Sequence, residues 1–357
     1  MQKSVIIVGA GVIGAAVAYR LACAGARVTI LDAGRVGATD ASFGWINASF
    51  FLSEDHYRLR VEGIAAWHRL QADLDLPINW CGSLCWEEGR LEDRQEALVA
   101  MGYDVSSVDG ARFAQMEPHV GMPPATALHL PQEGVAEPGA LTAAILSAAQ
   151  NAGVRVMRGV EVTGFEMATE RVVGVKTAAG ALQADDVLLA AGVGCGPLMT
   201  MLGHELPMLH RPALVIKTAP VEPMLNHILV SEIGEVRQLP CGALIMPVVP
   251  GHQGDENDVV GDLEAEAEAA LARLQALLPG APLTLAETML AERPMPGDGL
   301  PAVGPVAVGA YLAVMHSGIT LGAIMGELVC DELLQGETNH SRAWLDGFRP
   351  GRPALQP

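Results

Sequence analysis

Aromatic residues are scarce in this chain, at 4% of 357 residues. Charged residues are scarce too, at 18%, and the 22 Lys and Arg are outnumbered by 41 Asp and Glu. The resulting net charge of −19 repels polyanions and argues against a nucleic-acid partner. It is also the wrong sign for anionic lipid, and its plain consequence is solubility. No apolar run reaches the ~18 residues that a membrane span needs. The apolar start Val5–Val8 is interrupted by glycines at fixed spacing, with no small-residue cleavage site after it, so it does not read as a secretory leader. The six cysteines, Cys23, Cys81, Cys85, Cys195, Cys241 and Cys330, are scattered. A C-x3-C at Cys81 and Cys85 with no second pair and no nearby histidine is a weak zinc pattern. The expectation is six reduced thiols, no metal and a cytoplasmic location.

What the chain has is apolar bulk and glycine: 50% hydrophobic residues and 40 Gly. Such a chain can bury a large core, and its length predicts two lobes or one large α/β domain. Residues 4–8 are a β-branched run that suits a strand buried on both faces. Gly9-Ala10-Gly11-Val12-Ile13-Gly14 and an Ala-rich helical stretch to about Ala24 follow. Gly25 ends that helix, and Arg27 to Leu31 is a second strand closed by Asp32. In this G-x-G-x-x-G, Gly9 permits the tight turn, Gly11 lets backbone approach a pyrophosphate, and Gly14 allows close helix-to-strand packing. The helix N–H groups and macrodipole then face the phosphates. Asp32, about 20 residues beyond the turn, stands where a ribose diol donates hydrogen bonds.

Further on, residues 33–53 read as a long Gly/Ala/Ser/Thr/Asn loop and Glu54 to Leu74 as a helix. Residues 79–86 read as a strand-pair edge, and the stretch from there to Pro124 as irregular. A helix follows Glu137-Pro138, then a strand at 153–156 and a meander over 160–183 with turns at Gly164 and Ala179-Gly180. Asp185 to Leu189 is another buried strand, ending in Ala190-Ala191-Gly192. Residues 207–260 are β-rich, Glu264 to Leu278 is an amphipathic helix, Ala310 to Met315 a strand and Thr320 to Leu334 a helix. About twenty final residues read as a surface tail.

The glycine turn and Asp32 leave a choice between FAD and NAD(P). The late strand ending at Gly192, and His316-Ser317-Gly318-Ile319-Thr320-Leu321-Gly322, favour FAD. A helix starting there aims N–H groups at a flavin pyrimidine edge, which a nicotinamide enzyme does not need. The ordered set resembles the D-amino-acid oxidase-like FAD oxidoreductases, the glycine oxidase, sarcosine oxidase and D-amino-acid dehydrogenase group. It comprises the glycine motif with Asp32, Thr39 to Gly44, Gly82-Ser83-Leu84, Glu137-Pro138, Val160–Val162, Ala190–Gly192, Arg293-Pro294 through Gly304, and Ser317 to Leu321. The resemblance implies an α/β fold: a Rossmann-type FAD-binding domain on a central parallel sheet, plus a substrate domain with an antiparallel sheet and helices. The FAD domain would be discontinuous, 1–75, 136–206 and 290–357, and the substrate domain would take 76–135 and 207–289.

The resemblance also implies site residues. Gly9, Ala10, Gly11, Val12, Ile13, Gly14 and Asp32 would hold the ADP part. Ser42 and Phe43 would touch pyrophosphate or isoalloxazine, Val162 would lie beside the adenine with Ala191 and Gly192 near the nucleotide, and Gly318, Ile319, Thr320 and Leu321 would hold the pyrimidine edge. Arg293 is the candidate for a two-point grip on a substrate carboxylate, with packing of the Pro-rich turn as its alternative. Arg237 and His316 are further catalytic candidates, with an edge-strand charge and a core histidine as alternatives. Tyr57 and Arg58 are candidates to cover a flavin face, with a solvated helix face as the stronger alternative. Sarcosine oxidases have a lysine where this chain has His316-Ser317, and their flavin-bearing cysteine has no counterpart here, so noncovalent FAD is expected. The loop 43–47 departs from the family, and Trp45 is expected to reshape the pocket.

The expected reaction is oxidation of a small amine or amino acid. Hydride passes from carbon to flavin N5, and an imine forms and hydrolyses. A neutral amine needs no strong base, and the flavin carries the redox step. Oxygen or an electron carrier would reoxidise the flavin, in a homo- or hetero-oligomer. Two alternatives stay open: a noncatalytic or electron-transferring subunit of a heteromeric amino-acid dehydrogenase, and an NAD(P)-dependent dehydrogenase.

Overall fold

The β-branched run Ser4–Val8 forms strand β1 with every residue buried, and the computed structural model describes residues 2–87, 91–249 and 261–355. Both neighbours of β1 are parallel to it: strand β2, Arg27–Asp32, on one side and Asp186–Leu189 on the other. Helix α1, Val12–Cys23, makes the crossover, and Gly25 at φ +86° ends it. Parallel strands need a cover on both faces, and this sheet has one. Its order is Ala302–Ala307, Ala310–Val314, Asp186–Leu189, β1, β2, Arg155–Arg158. All pairings are parallel except that of Ala302–Ala307 with Ala310–Val314.

On one face lie α1, helix Pro138–Asn151 and helix Gly318–Gln335. The Ala-rich surface of α1 lets helix 318–335 come close: a Cβ on Gly326 would be 3.1 Å from the Ala16 backbone. The meander Val162–Ala168, Arg171–Thr177, Gly180–Gln183 covers the other face. Its first turn lies near Thr169, at φ +57°. Gly164 lies instead inside the first strand, where the register slips, because a glycine in a strand suits a bulge as well as a turn.

A second sheet of eight strands runs Leu285–Glu292, Pro212–Thr218, Leu244–Pro247, Gly234–Gln238, Ile228–Ser231, Ser83–Cys85, Thr126–Leu130, Ser106–Asp109. It is antiparallel but for one parallel pairing, Ile228–Ser231 with Ser83–Cys85. Helix Leu263–Leu277 packs on one side of it, and the core there contains Leu214, Ile216, Val236, Leu244 and Met246. The stretch read as irregular contains helices Leu91–Ala100 and Gly110–Met116. The end of the β-rich stretch, 250–260, lies outside the described residues.

Helix α2, Glu54–Asp73, is capped by Ser53, whose Oγ accepts from the His56 N–H at 3.2 Å, with Glu54 and Asp55 in the first turn. It lies against the start of helix 318–335. A Cβ on Gly63 would be 2.7 Å from Thr320 O, and Trp67 Nε1 donates to Ile319 O at 2.7 Å.

The last residues are not a loose tail. Helix Asn339–Leu345 forms, and Phe348 and Leu355 are buried. Arg349 makes a two-point ion pair with Glu332, at 2.8 and 2.7 Å. Arg352 does the same with Asp298, at 2.7 and 2.6 Å. Polar composition hid this segment because Arg349 and Arg352 spend their charge inside the molecule.

Candidate active site

The glycine turn is built as its spacing predicts. Gly9 has φ +109°, and a Cβ there would lie 2.4 Å from Ala190 O. A Cβ on Gly14 would lie 2.1 Å from Gly9 O, so Gly14 lets the helix leave the strand steeply. Helix α1 has Gly11 as its N-cap and no side-chain cap. Its Val12 N–H reaches Thr39 Oγ1 at 3.3 Å, and the N–H groups of Ile13 and Gly14 have no intrahelical acceptor. Asp32 ends β2 with its carboxylate held by the Ala10 N–H at 2.9 Å and the Gly34 N–H at 2.8 Å. A carboxylate has about four lone-pair sites, so acceptors remain for a diol.

A cavity of about 1010 Å³ opens beside this turn, at the upper end of the ~300–1,000 Å³ range of ligand sites. Gly9, Ala10, Gly11, Val12, Ile13 and Asp32 line it. Val162, Ala191 and Gly192 stand beside them, and Ser42 and Phe43 come from the loop after β2. Gly318, Ile319 and Thr320 line it too, with His316 and Arg293, and a Cβ on Gly318 would lie 3.7 Å from Val12 and 3.8 Å from Ile13. The inner face of the eight-stranded sheet closes it through Val215, Pro247 and Glu235. Arg293 donates from its backbone N–H to Arg211 O at 2.9 Å, and Nε reaches the same oxygen at 3.4 Å. His316 Nδ1 lies 3.3 Å from Ser317 Oγ.

Three expected residues are set back from the cavity. Gly14 faces Gly9, and Leu321 is buried in the helix-side core. Arg237 stands behind the loop rather than in the cavity. Its Nε donates to Phe43 O at 2.5 Å, Nη2 to Ala136 O at 3.2 Å and Nη1 to Glu137 Oε1 at 3.1 Å. Burial lowers its pKa against the pull of Glu137. Its strand faces the right way, but its length carries the guanidinium past the cavity to the backbone of Phe43 and Ala136, where it acts as a brace. Tyr57 and Arg58 do not line the cavity either. Tyr57 Oη donates to Met101 O at 3.2 Å, and Arg58 is on the surface beside Asp55.

Two residues beyond Arg58 on α2 stands a site residue that its sequence position did not single out. Arg60 lines the cavity and is 4% exposed. Its Nε donates to Asn47 O at 3.1 Å, Nη2 to Asn47 Oδ1, and Nη1 to Ser317 Oγ at 2.6 Å. Thr320 holds the same loop: its hydroxyl accepts from the Asn47 N–H and donates to Trp45 O, each at 3.3 Å. Below the loop sits Glu133, fully buried. It accepts from Trp45 Nε1 at 3.0 Å, Ser83 Oγ at 2.6 Å, Tyr103 Oη at 3.1 Å and the Ser49 N–H at 3.3 Å. Burial raises its pKa, and the hydrogen bonds from Ser49, Ser83 and Tyr103 oppose that. Trp45, the departure noted in the loop, is thereby a fixed part of the cavity wall.

These features fit FAD: a glycine cradle that side chains would fill, a carboxylate at the end of β2, and a second helix N-terminus on the same cavity. A profile of the DAO family, FAD dependent oxidoreductase, matches residues 4–332. The chain belongs to this family. Glycine oxidase of Pseudomonas putida is 29% identical to it over 363 residues, 94% of this chain and 96% of that protein. Sarcosine oxidase subunit beta of an Arthrobacter species is 30% identical over 246 residues, 63% of this chain and 61% of that one. The crystal structure of glycine oxidase from Bacillus cereus superposes with a TM-score of 0.85 at 22% identity, covering 99% of this chain and 100% of that one. This DAO-family chain is therefore an FAD-dependent oxidoreductase. Among the described residues no group of His, Cys, Asp and Glu is arranged to hold a metal, and no helix is long and apolar enough to cross a membrane.

Proposed function

We propose that this enzyme oxidises a small amine or amino acid to an imine, which water then hydrolyses. The observation that carries the reading is Arg293 lining the same cavity as the glycine turn, together with Val215, Pro247 and Glu235 of the second sheet. FAD, when bound, would supply the hydride acceptor. The chain's own work is binding and orientation. Arg293 grips a carboxylate at two points, Val215 and Pro247 exclude water, and the N-terminus of helix 318–335 supports negative charge at the pyrimidine edge. His316 borders the same space, and Arg237 keeps the Phe43–Gly44 turn in place. We assign residues 1–75, 136–206 and 290–357 to the FAD-binding domain and 76–135 and 207–289 to the substrate domain. All strands of the parallel sheet fall in the first set. Noncovalent FAD, and oxygen or a carrier as oxidant, complete the proposal.

Arg293→Ala tests it. The KM for a carboxylate substrate rises at least tenfold, about 1.4 kcal/mol, while bound FAD and the KM for an uncharged amine stay the same. An unchanged KM removes Arg293 from the site. The match to sarcosine oxidase subunit beta supports a second reading, a subunit that passes electrons on within a larger dehydrogenase. Turnover by the isolated chain with an artificial acceptor rejects a noncatalytic subunit.

A further inference from the structure

Arg60 is a buried cation whose hydrogen bonds all go to neutral oxygens, on Asn47 and Ser317. Among the described residues no carboxylate stands within ion-pair distance of it. Glu133 acts on it only through space, because its own oxygens are taken by Trp45, Ser83, Tyr103 and Ser49. His56, on the same cavity wall, brings no negative charge. Burial, and then the Arg60 charge, push its pKa down to about 3. A guanidinium out of water without a direct ion pair is costly, and negative charge from what fills the cavity offsets that cost.

The far end of Arg60 touches an unusual turn. Ser317 has φ +55°, in the left-handed region that favours glycine, and is the N-cap of helix 318–335 without a side-chain cap bond. Its Oγ faces Arg60 instead. The first helical bond runs from Leu321 N–H to Ser317 O at 3.0 Å. The N–H groups of Gly318, Ile319 and Thr320 therefore have no intrahelical acceptor, and those residues line the cavity. Two positive sources, a guanidinium without a direct ion pair and an 18-residue helix without a side-chain cap bond, meet at one wall.

We infer that Arg60 is a positioning residue for the bound cofactor. It fixes the Ser317 turn and adds its charge to the helix terminus, so that the wall holds reduced FAD more tightly than oxidised FAD. The inference rests on FAD lying with its pyrimidine end against 318–320 and is independent of the substrate oxidised.

The test is the midpoint potential of the bound FAD in the holoenzyme, measured by reductive titration against a reference dye with no amine present. In Arg60→Met the preference for reduced over oxidised FAD falls at least tenfold, a downward shift of about 30 mV for a two-electron couple. Arg60→Lys, which keeps the charge, recovers at least half of that shift. An unchanged potential in Arg60→Met overturns the inference, and so does a Lys variant as low as the Met one. A raised substrate KM with an unchanged potential also overturns it, and makes Arg60 a substrate-binding residue. If Arg60→Met does not hold FAD, Ser317→Gly decides. Glycine keeps the left-handed turn and drops the hydroxyl, so the preference falls at least threefold, and no change overturns the inference. A chain that is not an amine oxidase still gives these potentials, so the two proposals fail separately.

Discussion

A Cβ on Gly11 would meet one atom within 4 Å, Thr39 Oγ1 at 3.1 Å, and otherwise faces the cavity. Gly11→Leu puts a side chain where the diphosphate would lie, and FAD affinity falls tenfold or more, with apoprotein stability nearly unchanged. Fluorescence titration of apoprotein with FAD, beside its unfolding midpoint, checks this. Gly14→Ala has the opposite signature. Its Cβ would lie 2.1 Å from Gly9 O, so the apoprotein itself is destabilised by about 1–3 kcal/mol. Residues of this sort are legible in a sequence because what the backbone requires of them is local. Arg60 and Arg237 are not. Arg60 falls on the buried face of α2 with His56, Gly63, Ile64 and Trp67, the i, i+3, i+4 spacing that marks an inward position. That spacing was the available signal, but it marks a core position without saying what the position faces. Arg237 lies on the expected strand, and only the length of its side chain takes it past the cavity to the backbone of Phe43 and Ala136.

At the scale of elements, the segment after helix 318–335 is fastened by charge. Burial raises the pKa of Asp298, but the hydrogen bonds and charge of Arg352 outweigh it and leave the carboxyl below its usual value. Arg352→Ala therefore costs about 1.5–3 kcal/mol at neutral pH. A carboxyl whose folded pKa is depressed stabilises the fold above its unfolded value, about 3.9. That contribution fades as pH falls through the folded value. The stability gap between wild type and Arg352→Ala therefore closes as pH drops below about 4. Chemical unfolding across that range checks it, and a gap that widens in acid contradicts it. Long periodic elements such as α1, α2 and helix 318–335 were legible from spacing and caps. Helices Leu91–Ala100 and Gly110–Met116 were not, because each buries one residue, Leu98 and Phe113, and so lacks a stripe.

The whole molecule brings together stretches that are far apart in sequence: the first strands, the strand ending at Gly192, and the turn and helix from His316. Parallel pairing does this, with Asp186–Leu189 lying between β1 and Ala310–Val314. The order of motifs carried that architecture, while the partner of each inward charge depended on contacts across the whole fold. Reduction of the cofactor by an amine is the activity we propose for this arrangement. The most direct measurement is anaerobic titration of the purified holoenzyme with a panel of amino acids and N-methyl amines, following the absorbance band of the oxidised flavin. The account predicts that at least one small amino acid or amine bleaches the band fully and that imine-derived carbonyl product appears. A flavin that a chemical reductant bleaches, but that no member of the panel does, would contradict it.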